Sequence, residues 1–151
     1  MKEEKPRLGR RWMSRFCAVQ AMYSSKLCDC PIEKAIEDFN ASGHALISEN
    51  IAISEVDKDF FKKLLETSSE NMSNIDETIS RHLSKNWTLE RIDSVVKCIL
   101  RLGVTELMFF EEIPSNVIFN EYIEIAKTFF ESSQVSFING LLNEVSKNVR
   151  N

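Results

Sequence analysis

Apolar side chains recur at helical spacing along nearly the whole chain, and nowhere do they alternate convincingly with period two. A chain patterned in this way can bury its apolar surface only by stacking helix on helix. Only four Gly and three Pro punctuate the 151 residues, so little interrupts the helices. With hydrophobic residues at 43% and charged residues at 28%, usage is that of an ordinary globular protein rather than a disordered one. The length fits one domain, residues 1–151, around one core. The expected fold class is therefore all-α, a compact bundle of about seven helices.

Trp12, Phe16, Val19 and Tyr23 carry the first stripe, beside Met13, Cys17 and Ala21. Pro31 opens a second short helix, where its missing N–H costs nothing, and Ile32, Ala35, Ile36 and Phe39 form its apolar face. Residues 43–53 read as the only sizeable loop. Ser54-Glu55-Val56-Asp57 resembles a capping box with Asp in the place of Glu. Residues 55–85 then read as two helices or one broken one, with a break near Ser73-Asn74. Thr88 is placed to cap the helix whose stripe runs from Ile92 to Leu107. Pro114 ends that unit, and residues 116–130 form the next helix. Ser133 is expected to cap a last helix bearing Phe137, Ile138, Leu141, Leu142 and Val145.

The net charge of −4 conceals an asymmetry. The first 15 residues hold six bases (Lys2, Lys5, Arg7, Arg10, Arg11 and Arg15) against Glu3 and Glu4, while the rest of the chain is strongly acidic. A flexible basic arm over residues 1–9, feeding the first helix, suits either a localised polyanion site or a solvated tail. No run is long and apolar enough for a membrane span, and the charged start lacks the apolar stretch of a secretion signal. The expected location is the cytoplasm. Cys17 and Cys98 lie on apolar stripes, where reduced Cys behaves as a small hydrophobe. Cys28 and Cys30 have no second Cys or His pair at zinc-ligand spacing, because His44 and His82 are isolated. All four cysteines are therefore expected to be incidental reduced thiols, with no metal and no cofactor.

Catalytic patterns are missing as well. Gly9, Gly43, Gly103 and Gly140 stand alone, so neither a phosphate-binding loop nor a dinucleotide fingerprint is present. No nucleophile elbow or metalloprotease His pair occurs. Glu121 and Glu124 share a helix face, but no Glu is followed by His at the spacing a di-metal bundle uses, so solvated or helix-pairing acids are expected. Nothing in the sequence points to an enzyme.

Four segments taken together resemble the NusB family. Arg15-Phe16-Cys17-Ala18-Val19-Gln20-Ala21-Met22-Tyr23 is similar to its arginine-led first helix. Asn86-Trp87-Thr88-Leu89-Glu90-Arg91-Ile92-Asp93 followed by Ile99-Leu100-Arg101-Leu102-Gly103-Val104-Thr105-Glu106-Leu107 is similar to its central signature. Ile113-Pro114 with Asn120-Glu121-Tyr122-Ile123-Glu124-Ile125-Ala126-Lys127, and then Phe137-Ile138-Asn139-Gly140-Leu141-Leu142, follow in the family's order.

The resemblance implies seven helices in two packed helical subdomains and a role as a transcription antitermination factor. Such a factor pairs with NusE, a small-subunit ribosomal protein. It binds boxA-type single-stranded RNA in the RNA polymerase antitermination complex and promotes read-through, notably of ribosomal RNA operons; a homodimer is a further assembly it allows. The implied RNA-binding residues are Arg10, Arg11, Arg15, Gln20, Tyr23, Lys127, Ser136 and Phe137. The implied NusE contacts are Glu90, Arg91, Val96 and Lys97. Arginines neutralise phosphates without reading sequence, whereas single-stranded RNA is read by stacking bases on aromatic rings and bonding their edges. For Tyr23 and Phe137 the competing reading is core packing, since both continue apolar stripes. Arg101 and Glu106 are expected to be structural partners inside the bundle. Asn139-Gly140 predicts close helix packing, because a helical Gly otherwise costs about 1 kcal/mol relative to Ala.

The chain also departs from the family pattern. Trp12, Met13 and Ser14 interrupt the basic run, Ser136 stands where Lys is common, and Ser133 where an acid is common. Phe130 replaces a usual Gly, and Val96-Lys97 a frequent Asp-Arg pair. Two other functions fit the same resemblance: a helical scaffold independent of RNA, and a stand-alone relative of the N-terminal domain of a ribosomal RNA cytosine methyltransferase. The chain has no methyl-donor-binding domain, so catalysis in the latter case would have to come from a partner.

Overall fold

A computed structural model describes residues 10–42 and 56–150. The 1–9 arm, the 43–53 loop and Ser54-Glu55 lie outside the described residues. Among the described residues are seven α-helices and no strand: α1 (Arg10–Cys28), α2 (Ile32–Ser42), α3 (Lys58–Glu70), α4 (Met72–Arg81), α5 (Ser94–Phe109), α6 (Ser115–Phe129) and α7 (Ser132–Val149). A 3-10 turn, Leu89–Arg91, precedes α5.

The axis of the bundle is α5. From Cys98 to Leu107 every side chain on it is buried, the signature of a helix enclosed on all sides. Helices α1 and α3 pack on one side of it, and α4, α6 and α7 on the other. Helix α2 lies against α1 and α3, where Phe39 and Phe61 meet with ring centroids 4.6 Å apart. Trp12 stacks on Phe16 at 5.3 Å and Phe16 on Phe129 at 5.7 Å, which ties α1 to the end of α6.

Local capping explains where the helices start. Asp57 is the N-cap of α3, its carboxylate accepting from Phe60 N–H at 3.1 Å. The break expected in 55–85 falls at Asn71, between α3 and α4. Three expectations are corrected. Thr88 precedes only the 3-10 turn and makes no side-chain cap, while Asp93 caps α5 by accepting from Val95 and Val96 N–H. Ser133 lies inside α7, whose N-cap position is Glu131. Gly140 has open space around its Cα, so close packing does not explain it; Gly103 is the packed glycine, where a Cβ would meet Leu142 Cδ2 at 3.0 Å.

The cysteines divide into two kinds. Cys17 and Cys98 are buried and free, and burial pushes their thiols up to about 12 and about 11. Cys28 and Cys30 are joined as a disulfide around Asp29, which adopts φ 55°, correcting the expectation that all four are reduced. A one-residue spacer between thiols is invisible to rules built on zinc spacing.

Candidate RNA and partner interface

The arginines of α1 serve different purposes because they face different ways. Arg10 is exposed and its Nη2 donates to Val56 O at 3.3 Å. Arg11 is exposed, 3.9 Å from Asp57 and 4.6 Å above the Phe60 ring. Arg15 is only 2% exposed. Its Nε and Nη2 donate to the two oxygens of Glu106 at 2.6 and 2.7 Å, and its Nη1 donates to Glu121 at 2.8 Å. Tyr122 donates its hydroxyl to the same Glu106 carboxylate. Burial opposes the charge on Arg15, but the Glu106 hydrogen bonds and the surrounding acids outweigh it and hold the guanidinium protonated. Burial in turn pushes the Glu121 carboxyl above its usual range, with Arg15 pulling the other way, and raises the Tyr122 phenol strongly.

Arg15 is therefore withdrawn from any phosphate, which corrects its expected RNA role. Nε, Nη1 and Nη2 each already donate to a carboxylate, and the side chain is buried. Glu121 is likewise no solvated acid but a partner of that ion pair. Arg101 and Glu106 are structural, as expected, but not with each other: Arg101 grips Asp76 of α4 at 2.8 and 2.9 Å, while Glu106 serves Arg15.

Gln20 and Tyr23 are half-buried further along α1, Tyr23 packing against the core cluster. Lys127, near the end of α6, is exposed beside Glu124 at 3.4 Å. Ser136 and Phe137 are exposed on α7, Phe137 at 37%, although its neighbour Ile138 is fully buried.

Phe137 faces a groove between α7 and the segment leading into α5. One end is a cavity of about 370 Å³ lined by Trp87, Arg91, Val96, Ser133, Gln134 and Phe137, among others. The adjoining end, about 480 Å³, is lined by Trp87, Phe137, Ser136, His82, Gly140 and Glu144, among others. Trp87 and Phe137 belong to both. The groove thus brings together two residues expected on the RNA side, Ser136 and Phe137, with Arg91, expected on the partner side. Glu90 is exposed on the adjacent turn.

The other two expected partner residues diverge. Val96 is 3% exposed and is a core residue at the groove floor, which corrects its place as a surface contact. Lys97, one position on and so about 100° around the helix, is turned away. Its pKa is lowered by burial and then by the neighbouring charges of Lys26 and Arg101, on the side of α5 that faces α4 and the end of α1. Trp87, 51% exposed, was missed as a site residue. The available signal was that it belongs to neither adjacent apolar stripe, lying in the polar run Ser84-Lys85-Asn86-Trp87-Thr88.

Among the described residues no group of His, Cys, Asp and Glu is arranged to hold a metal ion, and no helix is long and apolar enough to cross a membrane.

Comparison with known proteins supplies the wider frame. Residues 13–147 match the model of the NusB family. The transcription antitermination protein NusB of Caulobacter vibrioides is 34% identical over 144 residues, covering 95% of this chain and 97% of that protein. The structure of T. maritima NusB superposes with a TM-score of 0.75 at 29% identity, covering 96% of this chain and 93% of that one. A crystal structure of antitermination factors NusB and NusE in complex with dsRNA shares the fold, with a TM-score of 0.71 at 23% identity over 91% of this chain and 96% of that one.

Proposed function

The chain belongs to the NusB family, and from that premise we propose that it is a transcription antitermination adaptor. In this reading it works in the cytoplasm, binds boxA-type single-stranded RNA together with NusE, and promotes read-through by RNA polymerase, notably in ribosomal RNA operons. It is an adaptor and not a catalyst. That a protein of the same fold occurs in complex with NusE and dsRNA supports NusE and RNA as the classes of partner.

The observation that carries the proposal is the groove. A large aromatic side chain, Phe137, stays 37% exposed on a helix that buries Ile138, Leu141, Leu142 and Val145. An unpaired base offers a π-face to such a ring, and base–aromatic stacking contributes about 1–3 kcal/mol per base. Arg10 and Arg11, with the basic arm before them, supply phosphate neutralisation that is blind to sequence. Glu90, exposed on the turn beside the groove, is the surface offered to NusE, whereas Arg91 lines the groove itself and is left to the RNA. RNA and partner would then meet along one edge of the protein, so that each strengthens the hold on the other.

Fluorescence anisotropy of a boxA-type RNA with and without NusE tests this directly. Binding should be tighter with NusE, and Phe137→Ala should cost about tenfold or more at an unchanged melting temperature. A second reading, a scaffold independent of RNA, is favoured by the withdrawal of Arg15 into the core. In that case NusE binds and the RNA does not, at any salt concentration.

A further inference from the structure

Trp87 and Phe137 stand on two different elements yet both line the two adjoining halves of the groove. We propose that Trp87 is a second base-stacking residue, which with Phe137 forms a receptacle for one unpaired nucleobase of single-stranded RNA. This rests on the RNA-binding reading given above and adds to it a residue and a subsite.

The polar groups around the groove decide which half receives the base. In the half toward α4, the two titratable side chains are already occupied, and only the Ser84 and Ser136 hydroxyls remain beside them. His82 holds Thr78 O through Nδ1 at 2.8 Å and Asn148 through Nε2, and Glu144 pairs with Lys147 at 3.2 Å. In the half toward α5, Asp93 is spent on capping that helix. Arg91 there is exposed and has no ion-pair partner among the described residues. Among the described residues the Gln134 amide is engaged by the Ser133 hydroxyl on its oxygen, at 3.0 Å, and both its amide hydrogens remain to donate. This half thus combines two aromatic faces, an amide donor and the Arg91 cation, with the Asp93 carboxylate engaged at the start of α5.

That set complements a base with its phosphate better than it does an apolar side chain. A base stacks on the rings, its edge accepts from Gln134, and Arg91 meets the adjoining phosphate. An apolar side chain from a protein would fill the space but leave the guanidinium and the amide without partners, a costly outcome once water is excluded.

The test uses the full chain with NusE, a fluorescein-labelled boxA-type single-stranded RNA, and intrinsic tryptophan emission. The chain has two tryptophans, and Trp12 is buried while Trp87 is half-exposed, so emission quenched by added iodide reports on Trp87. RNA should quench and shield that emission. Trp87→Ala should weaken RNA binding about tenfold to a hundredfold with the salt dependence of wild type, and Trp87→Phe should restore much of it. Neither substitution should lower the melting temperature appreciably. Wild-type RNA affinity in Trp87→Ala, with iodide access unchanged by RNA, overturns the subsite and leaves the adaptor reading intact. Weaker NusE binding by Trp87→Ala in the absence of RNA overturns it in favour of a protein contact. If the wild-type complex fails to bind RNA at all, the adaptor reading falls and the subsite with it.

Discussion

Arg10, Arg11 and Arg15 show how little residue type says without position. All three are arginines near one helix start, yet Arg15 lies sealed between Glu106, Glu121 and the Phe60 ring, while the other two face solvent. Removing one member of a buried ion pair strands the other charges, so Arg15→Ala should destabilise the fold by about 3–5 kcal/mol in urea melts. Arg10→Ala and Arg11→Ala should stay within about 0.5 kcal/mol of wild type and instead flatten the salt dependence of RNA binding. Wild-type stability in Arg15→Ala would refute its structural role. The buried thiols allow a second measurement. Cys17 ionises at 9.0 in the unfolded chain but at about 12 in the fold, so between those values the unfolded state sheds protons that the folded state keeps. Stability should therefore fall as pH rises from 9 toward 12, and Cys17→Ala should show a shallower decline. An identical slope in the variant would exclude the thiol as the cause.

At the scale of elements, the ends of helices carry much of the specificity. Arg150 closes α7 back onto α5: its Nε donates to Leu107 O at 2.9 Å, and its Nη2 to Glu106 O at 3.0 Å and Phe110 O at 2.9 Å. The carbonyls at the end of a helix have no partners within it, and a guanidinium at that end also complements the helix dipole. Arg150→Ala should cost about 1–3 kcal/mol, read as a lower denaturant midpoint, because Leu107 O and Ile113 O lose their donor, while Glu106 O and Phe110 O keep the N–H groups of Phe110 and Ile113. The two helical glycines should respond in opposite directions. Gly103→Ala would push into Leu142 and cost about 1–3 kcal/mol. Gly140→Ala, in open space, should gain up to about 1 kcal/mol from helix propensity. A stabilised Gly103→Ala protein would show that the α5–α7 contact yields more easily than its geometry indicates.

For the whole molecule, α5 is the common wall of both helix groups. Helices α1 and α3 cannot detach without exposing the helix on which α4, α6 and α7 also rest. The two groups should therefore unfold together. In a Trp87→Phe variant, whose emission comes from Trp12 alone, urea transitions followed by far-UV circular dichroism and by fluorescence should coincide. Separate midpoints would show that the groups are independently stable.

Helix number, the burial of the α5 stripe and the free character of Cys17 and Cys98 were legible in the residues alone. Periodicity is a local property, and burying an amphipathic face is cooperative enough that one pattern has one solution. The capping role of Asp93 in place of Thr88 was hidden because both residue types cap well, and only the chain path selects between them. Whether Arg15 meets a phosphate or a carboxylate was undecidable from sequence, because Glu106 and Glu121 lie 91 and 106 residues away. Phe137 continued an apolar stripe and yet faces the groove, since a stripe indicates an apolar face but not its width. Trp87 belonged to a motif without a stripe, and its meaning appeared only when α7 brought Phe137 to the same cavity. Sequence by itself determined which surfaces must be hidden, because that follows from spacing along one helix. The tertiary structure decided which charges and aromatics stay in water, because that depends on neighbours remote in the chain.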